Sequence, residues 1–107
     1  MQRATLVRYT AKPGRAAENQ ALAQAVFKDL KALPPQPFAY ALLRDGDDFL
    51  HLFLNLAADD ADGVVARESF KAFTAGSADR WIGPPEVARY TMNLVDAVGF
   101  EGAKATV

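Results

Sequence analysis

Cysteine is absent from this chain of 107 residues, and histidine occurs only once, as His51. Without cysteine the chain has no disulfide, no thiolate ligand for zinc and no thiol nucleophile. A single histidine also excludes metal sites that need two imidazoles at helical spacing. Glycine-rich phosphate loops and Gly-x-Ser-x-Gly motifs are missing too, so the sequence carries no kinase or hydrolase signature. We therefore expect no metal.

The two signs of charge nearly balance, with twelve Lys and Arg residues against thirteen Asp and Glu residues and a formal net charge of −1. No run of basic residues is present to neutralise phosphates, so nucleic acid is not an expected partner. No apolar stretch approaches the roughly 18 residues that a membrane-spanning helix requires. We expect a cytoplasmic protein that binds neither nucleic acid nor membrane.

The first third of the chain predicts a strand followed by a helix. Apolar and β-branched residues alternate from Ala4 to Tyr9, and Lys12-Pro13-Gly14 ends that strand. Apolar residues then recur every three or four positions between Arg15 and Leu33, which predicts a helix packed on one side. The prolines at 34, 35 and 37 end it.

A β-hairpin is predicted next. Strands at Phe38–Arg44 and Phe49–Leu56 flank the acidic turn Asp45-Gly46-Asp47-Asp48. If Arg44 pairs with Phe49, the alternation of side chains gives two distinct faces. One face is aromatic with polar groups set into it and holds Phe38, Tyr40, Leu42, His51, Phe53 and Asn55. The other face is aliphatic and holds Ala39, Ala41, Leu43, Leu50, Leu52 and Leu54. Both faces therefore need a cover.

The remaining chain predicts a polar loop at 59–63, a second helix and a last strand. This helix starts at Val64 or Glu68 and runs to about Trp81, and the strand spans Glu86–Val95. The element order predicts an α+β fold, a ferredoxin-like βαββαβ sandwich with an antiparallel sheet. Residues 1–95 form this domain, and residues 96–107 form a C-terminal tail or dimer arm.

Helices in such a sandwich cover only one face of the sheet. The uncovered apolar face therefore predicts a homodimer, in which two sheets pair into a dimeric α+β barrel.

Several short motifs resemble the antibiotic biosynthesis monooxygenase domain family over residues 3 to 95. They are Lys12-Pro13-Gly14 with Glu18, the Asp45-Gly46 turn, and Phe70-Lys71-Ala72-Phe73 leading to Pro84-Pro85. The resemblance implies a dimeric α+β barrel. That family includes cofactor-independent quinone-forming oxygenases, haem-degrading enzymes and members with no known activity, so the fold alone does not fix the function.

The haem-degrading branch of that family implies three residues that this chain lacks. Its asparagine would fall at Val7, its tryptophan at Asn55 and its haem-ligating histidine near Thr74. We therefore expect no haem and no other cofactor. The same comparison implies that Val7 and Asn55 point into a cavity between sheet and helices, lined by the aromatic face, whereas the aliphatic face meets a second subunit.

His51 is the candidate catalytic base, because its ordinary pKa lies near neutrality. It would deprotonate a phenol or hydroquinone, whose anion reacts with dioxygen, and Asn55 would hold the oxyanion or oxygen intermediate. The predicted substrate-binding residues are Phe38, Tyr40, Phe53, Trp81, Arg89 and Asn93. Each also has a structural reading, since a buried histidine is commonly a hydrogen-bonded core residue.

These patterns support a monooxygenase-like homodimer that binds a small aromatic or quinone-like metabolite and oxidises it without a cofactor. The alternative is a non-catalytic ligand-binding or structural homodimer in which the same residues pack. A third reading, an isomerase or decarboxylase on this scaffold, would use the same base without consuming oxygen.

Overall fold

The computed structural model describes residues 2–57 and 64–99. Its strands and helices follow in the predicted order, with the second helix in two pieces. They are β1 (Arg3–Thr10), α1 (Ala16–Lys31), β2 (Phe38–Asp45), β3 (Asp48–Asn55), α2 (Glu68–Ala75), α3 (Ser77–Arg80) and β4 (Glu86–Thr91). The predicted loop at 59–63 and residues 100–107 of the predicted tail lie outside the described part of the chain.

The four strands form one antiparallel sheet in the order β2-β3-β1-β4, which confirms the ferredoxin-like α+β fold. The predicted hairpin register is also confirmed, with Tyr40 opposite Phe53 and Leu42 opposite His51. Gly46 makes this turn with a φ of 61°, a conformation that costs glycine little and other residues more.

The aromatic face of the sheet lies under the helices and forms the core. Tyr9 and Phe49 are buried there against Val26 of α1 and Phe73 of α2. In the described part of the chain the opposite face has no such cover, and Leu43 and Tyr90 on it are 51% and 49% exposed. Burial thus distinguishes the two faces as the sequence predicts.

The second helix does not run unbroken to Trp81. It ends at Ala75, and a separate turn of helix spans Ser77–Arg80. Glycine has a weak helix preference, and at Gly76 a Cβ atom would lie 3.0 Å from an Arg80 guanidinium nitrogen. The chain bends at Gly76, and the arginine side chain occupies that space.

The last strand ends at Thr91 rather than at Val95. Among residues 2–57 and 64–99 it pairs only with β1, and the first residue of β1, Arg3, lies opposite Thr91. Beyond β4 the chain runs beside the N-terminus, where Gln2 Oε1 accepts a hydrogen bond from the Leu94 N–H. None of the helices in the described residues has the length and apolar character to cross a membrane.

Candidate functional site

A cavity of about 590 Å³ lies between the aromatic face of the sheet and the second half of the chain. Val7, Tyr9 and Phe53 form its floor on the sheet, and Phe70 and Phe73 of α2 lie across from them. Most of its walls are therefore aromatic or aliphatic. Such a cavity suits a small, flat and largely apolar molecule.

Six of the eight predicted site residues line this cavity, namely Tyr40, His51, Phe53, Asn55, Trp81 and Arg89. Phe38 and Asn93 do not line it, and their contact with substrate stays a prediction. Phe38 starts the edge strand β2 and packs on the Phe53 ring at 5.2 Å between centroids. Asn93 lies past the paired part of β4, and its Oδ1 accepts a hydrogen bond from the Gln2 N–H.

A chain of hydrogen bonds runs from the cavity into the core. The Tyr40 hydroxyl lies 2.7 Å from His51 Nδ1, and the Tyr9 hydroxyl lies 2.8 Å from His51 Nε2. Asn19 continues it from α1, because its Nδ2 donates to the Tyr9 hydroxyl at 2.8 Å. Both ring nitrogens of His51 are therefore occupied by tyrosine hydroxyls, and a ligand in the cavity would meet these hydroxyls beside the imidazole.

Two donors close the inner end of this chain. Trp81 Nε1 and Arg80 Nε both donate to Asn19 Oδ1, at 2.7 Å and 3.1 Å. Arg80 also donates to the Phe73 carbonyl oxygen and lies over the Phe73 ring, 5.4 Å from its centroid. Only 2% of Arg80 is exposed, and no carboxylate of the described residues forms an ion pair with it.

Burial keeps the imidazole and the two phenols of this hydrogen-bond chain neutral. It lowers the pKa of His51 from 6.5 to about 4, and it raises the pKa of Tyr9 from 10.0 to about 12. Burial raises the pKa of the Tyr40 hydroxyl as well. At neutral pH the imidazole and both phenols are therefore uncharged, and the guanidinium of Arg80 is the cation beside them.

Tyr9, Asn19 and Arg80 were not identified as site residues from the sequence. Tyr9 is one of several apolar residues on β1, and nothing local reveals that its hydroxyl meets His51, 42 positions later. Asn19 did carry a signal, because it interrupts the apolar stripe of α1. Its partners, however, are 61 and 62 positions away.

Asn55 is placed at the cavity as predicted, but part of its amide is engaged. Its Oδ1 accepts a hydrogen bond from the Ala57 N–H at 3.0 Å, which turns the chain after β3. Its role in holding an oxygen intermediate stays a prediction.

Arg89 lies at the opposite edge of the cavity floor from Tyr40. The strand registers place Tyr40, Phe53, Thr5 and Arg89 in one row across the sheet. Three strand spacings separate the ends of this row, or roughly 14 Å between backbones. Arg89 is exposed, and within residues 2–57 and 64–99 its guanidinium has no hydrogen bond or ion pair. The cavity thus has a hydroxyl at one edge and a cation at the other.

Val7, Asn55 and Thr74, the three positions compared above with the haem-degrading branch, all line this cavity. The chemistry at Thr74 does not fit haem, because its hydroxyl bonds to the carbonyls of Phe70 and Lys71 in its own helix. No group of three or more acidic or histidine side chains in the described ranges is arranged to hold a metal ion.

No protein-family model and no curated protein matches this sequence. The fold, in contrast, is shared with solved structures. A candidate antibiotic biosynthesis monooxygenase from Caulobacter crescentus is 20% identical with a TM-score of 0.71, over 89% of this chain and 91% of that one. Rv0793 from Mycobacterium tuberculosis is 16% identical with a TM-score of 0.74, over 92% of this chain and 100% of that one.

SnoaB, a cofactor-independent oxygenase from Streptomyces nogalater, also has this fold. It is 15% identical with a TM-score of 0.63, over 88% of this chain and 95% of that one. The predicted resemblance to the antibiotic biosynthesis monooxygenase family is thereby confirmed for the fold.

Proposed function

We propose that this chain is an antibiotic biosynthesis monooxygenase-like protein that binds a small aromatic or quinone-like metabolite and oxidises it with dioxygen. The observation that carries the proposal is the cavity, in which aromatic walls surround one buried polar cluster of Tyr40, His51 and Tyr9. An apolar site with a few fixed polar groups is the usual design of a small-molecule site. The fold shared with SnoaB supports the oxygen chemistry.

The proposed reaction needs no other oxidant or reductant. A phenol with a hydrogen on its para carbon loses the phenolic proton, and the resulting anion gives electrons to dioxygen. A carbon–oxygen bond forms at the para carbon, and the carbon–hydrogen and oxygen–oxygen bonds break. One oxygen atom ends in the new quinone carbonyl, and the other leaves as water with the two hydrogens of the substrate.

The protein would hold the ring between its aromatic walls and exclude bulk water, which strengthens hydrogen bonds to the developing anion. The role of His51 as the base stays a prediction. Both of its nitrogens already face tyrosine hydroxyls, so a substrate proton would reach it through one of these hydroxyls. Arg89 is suited to an acidic substituent, since a guanidinium binds a carboxylate in a bidentate manner.

Oxygen uptake with anthrone, which enolises to a phenol, and with 1-naphthol tests this function, because both phenols carry a hydrogen on the para carbon. We expect one dioxygen consumed per quinone formed, and one labelled oxygen atom per product under isotopically labelled dioxygen. Tyr40→Phe keeps the ring and removes the hydroxyl, and should slow turnover about tenfold or more. Tyr90→Phe is the matched control, because Tyr90 lies on the opposite face of the sheet and should leave the rate unchanged.

Thermal shifts with the same probes test binding separately. A ligand at about one hundred times its dissociation constant should stabilise the fold by roughly 2.7 kcal/mol, a rise of several degrees. Turnover without oxygen uptake would favour the isomerase or decarboxylase alternative. Binding without turnover would favour the non-catalytic alternative, and a well-folded protein that binds no probe would contradict the proposal.

We also propose that the partner of this chain is a second copy of itself. The outer face of the hairpin carries alanine and leucine side chains, with Asp45 and Asp48 at its turn, and the helices pack on the other side of the sheet. An apolar face can pack against an identical face related by a two-fold axis. Two sheets joined in this way make the dimeric barrel that the sequence predicts.

The mass in solution tests this assembly. By sedimentation, wild type should have twice the chain mass of 11.6 kDa at micromolar concentration. Leu52→Glu places a charge at the centre of the outer face and should give monomers. Ala21→Glu, on the exposed side of α1, is the control and should remain dimeric. A monomeric wild type would refute the pairing of sheets.

A further inference from the structure

We infer that Asn19 fixes the direction of the whole hydrogen-bond chain, so that Tyr40 faces the cavity as a hydrogen-bond donor and selects ligands that bring an acceptor oxygen. This goes beyond the proposed function by naming the group that the ligand must present. The direction of the bonds follows from the inner end of the chain outward, one residue at a time.

The orientation of the Asn19 amide is set by its two inner neighbours. Arg80 Nε and Trp81 Nε1 carry hydrogens and have no acceptor capacity, so the atom between them must be the amide oxygen. The amide nitrogen therefore faces the Tyr9 hydroxyl. Turning the amide over would set hydrogens against hydrogens in a site where Asn19 is fully buried.

The direction then passes to His51. The Tyr9 oxygen accepts from Asn19, and the only other hydrogen-bond partner of this hydroxyl in the described residues is His51 Nε2. Tyr9 is 4% exposed, so its own hydrogen would be left unsatisfied unless it points to that nitrogen. Nε2 is then the bare nitrogen, and the neutral imidazole carries its proton on Nδ1.

The Tyr40 oxygen accepts a hydrogen bond from Nδ1–H, so the hydrogen of the Tyr40 hydroxyl is left without an acceptor among the described residues. His51 is the single hydrogen-bond partner of the Tyr40 hydroxyl among the described residues, and Tyr40 lines the cavity. A carbonyl or phenolate oxygen in the cavity would accept this hydrogen. If the proposed oxidation occurs, the same bond would strengthen as the phenolate forms, with the Arg80 cation at the far end of the chain.

The tautomer of His51 is the first test and requires no ligand. His51 is the single histidine of the chain, so long-range proton–nitrogen NMR of labelled wild type reads one imidazole. We expect a protonated Nδ1 and a bare Nε2, the opposite of the form that histidine prefers in water. A protonated Nε2 in wild type would overturn the inference whatever the protein binds.

Asn19→Asp should reverse the direction of the hydrogen bonds from Asn19 to Tyr40. A carboxylate accepts from all of its neighbours, so the Tyr9 hydrogen would turn to it and Nε2 would become the protonated nitrogen. The Tyr40 hydrogen would then turn to Nδ1. Gln24→Glu adds the same charge on the exposed side of α1 and should leave the tautomer unchanged. A folded Asn19→Asp variant that keeps the wild-type tautomer would also overturn the inference.

A pair of ligands tests the donor role. 1,4-Naphthoquinone offers acceptor oxygens, whereas naphthalene has the same rings and no polar group. We expect wild type to prefer the quinone by about five- to tenfold, and Tyr40→Phe and Asn19→Asp to lose that preference. If the tautomer is as expected but wild type binds both compounds equally, Tyr40 does not select ligands and this part is overturned. If it binds neither compound, the proposed function fails and the assignment of the tautomer stands.

Discussion

Acidification below pH 6.5 should destabilise this protein through His51. Burial lowers the pKa of His51 from 6.5 to about 4 in the folded state, so the unfolded chain binds the proton more tightly. The stabilisation is complete above pH 6.5 and is lost as pH falls toward 4. The full difference is about 3 kcal/mol, of which about 2 kcal/mol should be gone at pH 5.

Urea unfolding at a fixed protein concentration measures this loss at several pH values between 7 and 4.5. His51→Gln keeps a donor and an acceptor but does not titrate, so its stability should change little over the same range. Asp29 has its pKa lowered to about 2 by hydrogen bonds from Arg67 and Ser69, so it contributes at lower pH. If the free energy of unfolding falls equally for wild type and variant between pH 6.5 and 5, His51 is solvated and the buried hydrogen-bond chain is refuted.

Three further substitutions probe the packing around this hydrogen-bond chain by the same urea assay. Phe73→Ala empties a buried ring site and should cost roughly 3 to 5 kcal/mol; a loss under 1 kcal/mol would mean that the cavity extends there. Gly76→Ala sets a Cβ 3.0 Å from a guanidinium nitrogen of the buried Arg80, which cannot move freely, and should cost about 1 to 3 kcal/mol. Trp81→Phe leaves the oxygen of Asn19 with one donor and should cost about 1 kcal/mol, and no loss would contradict that bond.

The sheet was predictable because its information is local. The Asp45-Gly46 turn sets the hairpin register, and alternation then fixes which side chains share a face. The sequence alone therefore places His51 and Tyr40 together on the aromatic face of the hairpin. The break at Gly76 was not predictable in the same way, because the space there is taken by the side chain of Arg80.

The candidate site was only half predictable, because its hydrogen bonds join distant positions. Asn19 stands out on an apolar helix stripe, but sequence spacing cannot pair it with Trp81 or with Tyr9. The sequence predicts Phe38 and Asn93 at the site because they share a face with residues that do line the cavity. Alternation gives the face of a side chain but not its distance from the end of a sheet, and both lie at such ends.

The row of side chains from Tyr40 to Arg89 has a consequence for selectivity. Its two ends differ in chemistry, and three strand spacings, roughly 14 Å, keep their backbones apart. If both ends bind the same molecule, the width of the sheet sets the length of that molecule. A compound with one ring reaches either the hydroxyl or the guanidinium, and two or three fused rings are needed to reach both. Such a protein would sort metabolites by length, with the strand spacing of the β-sheet as its unit of measure.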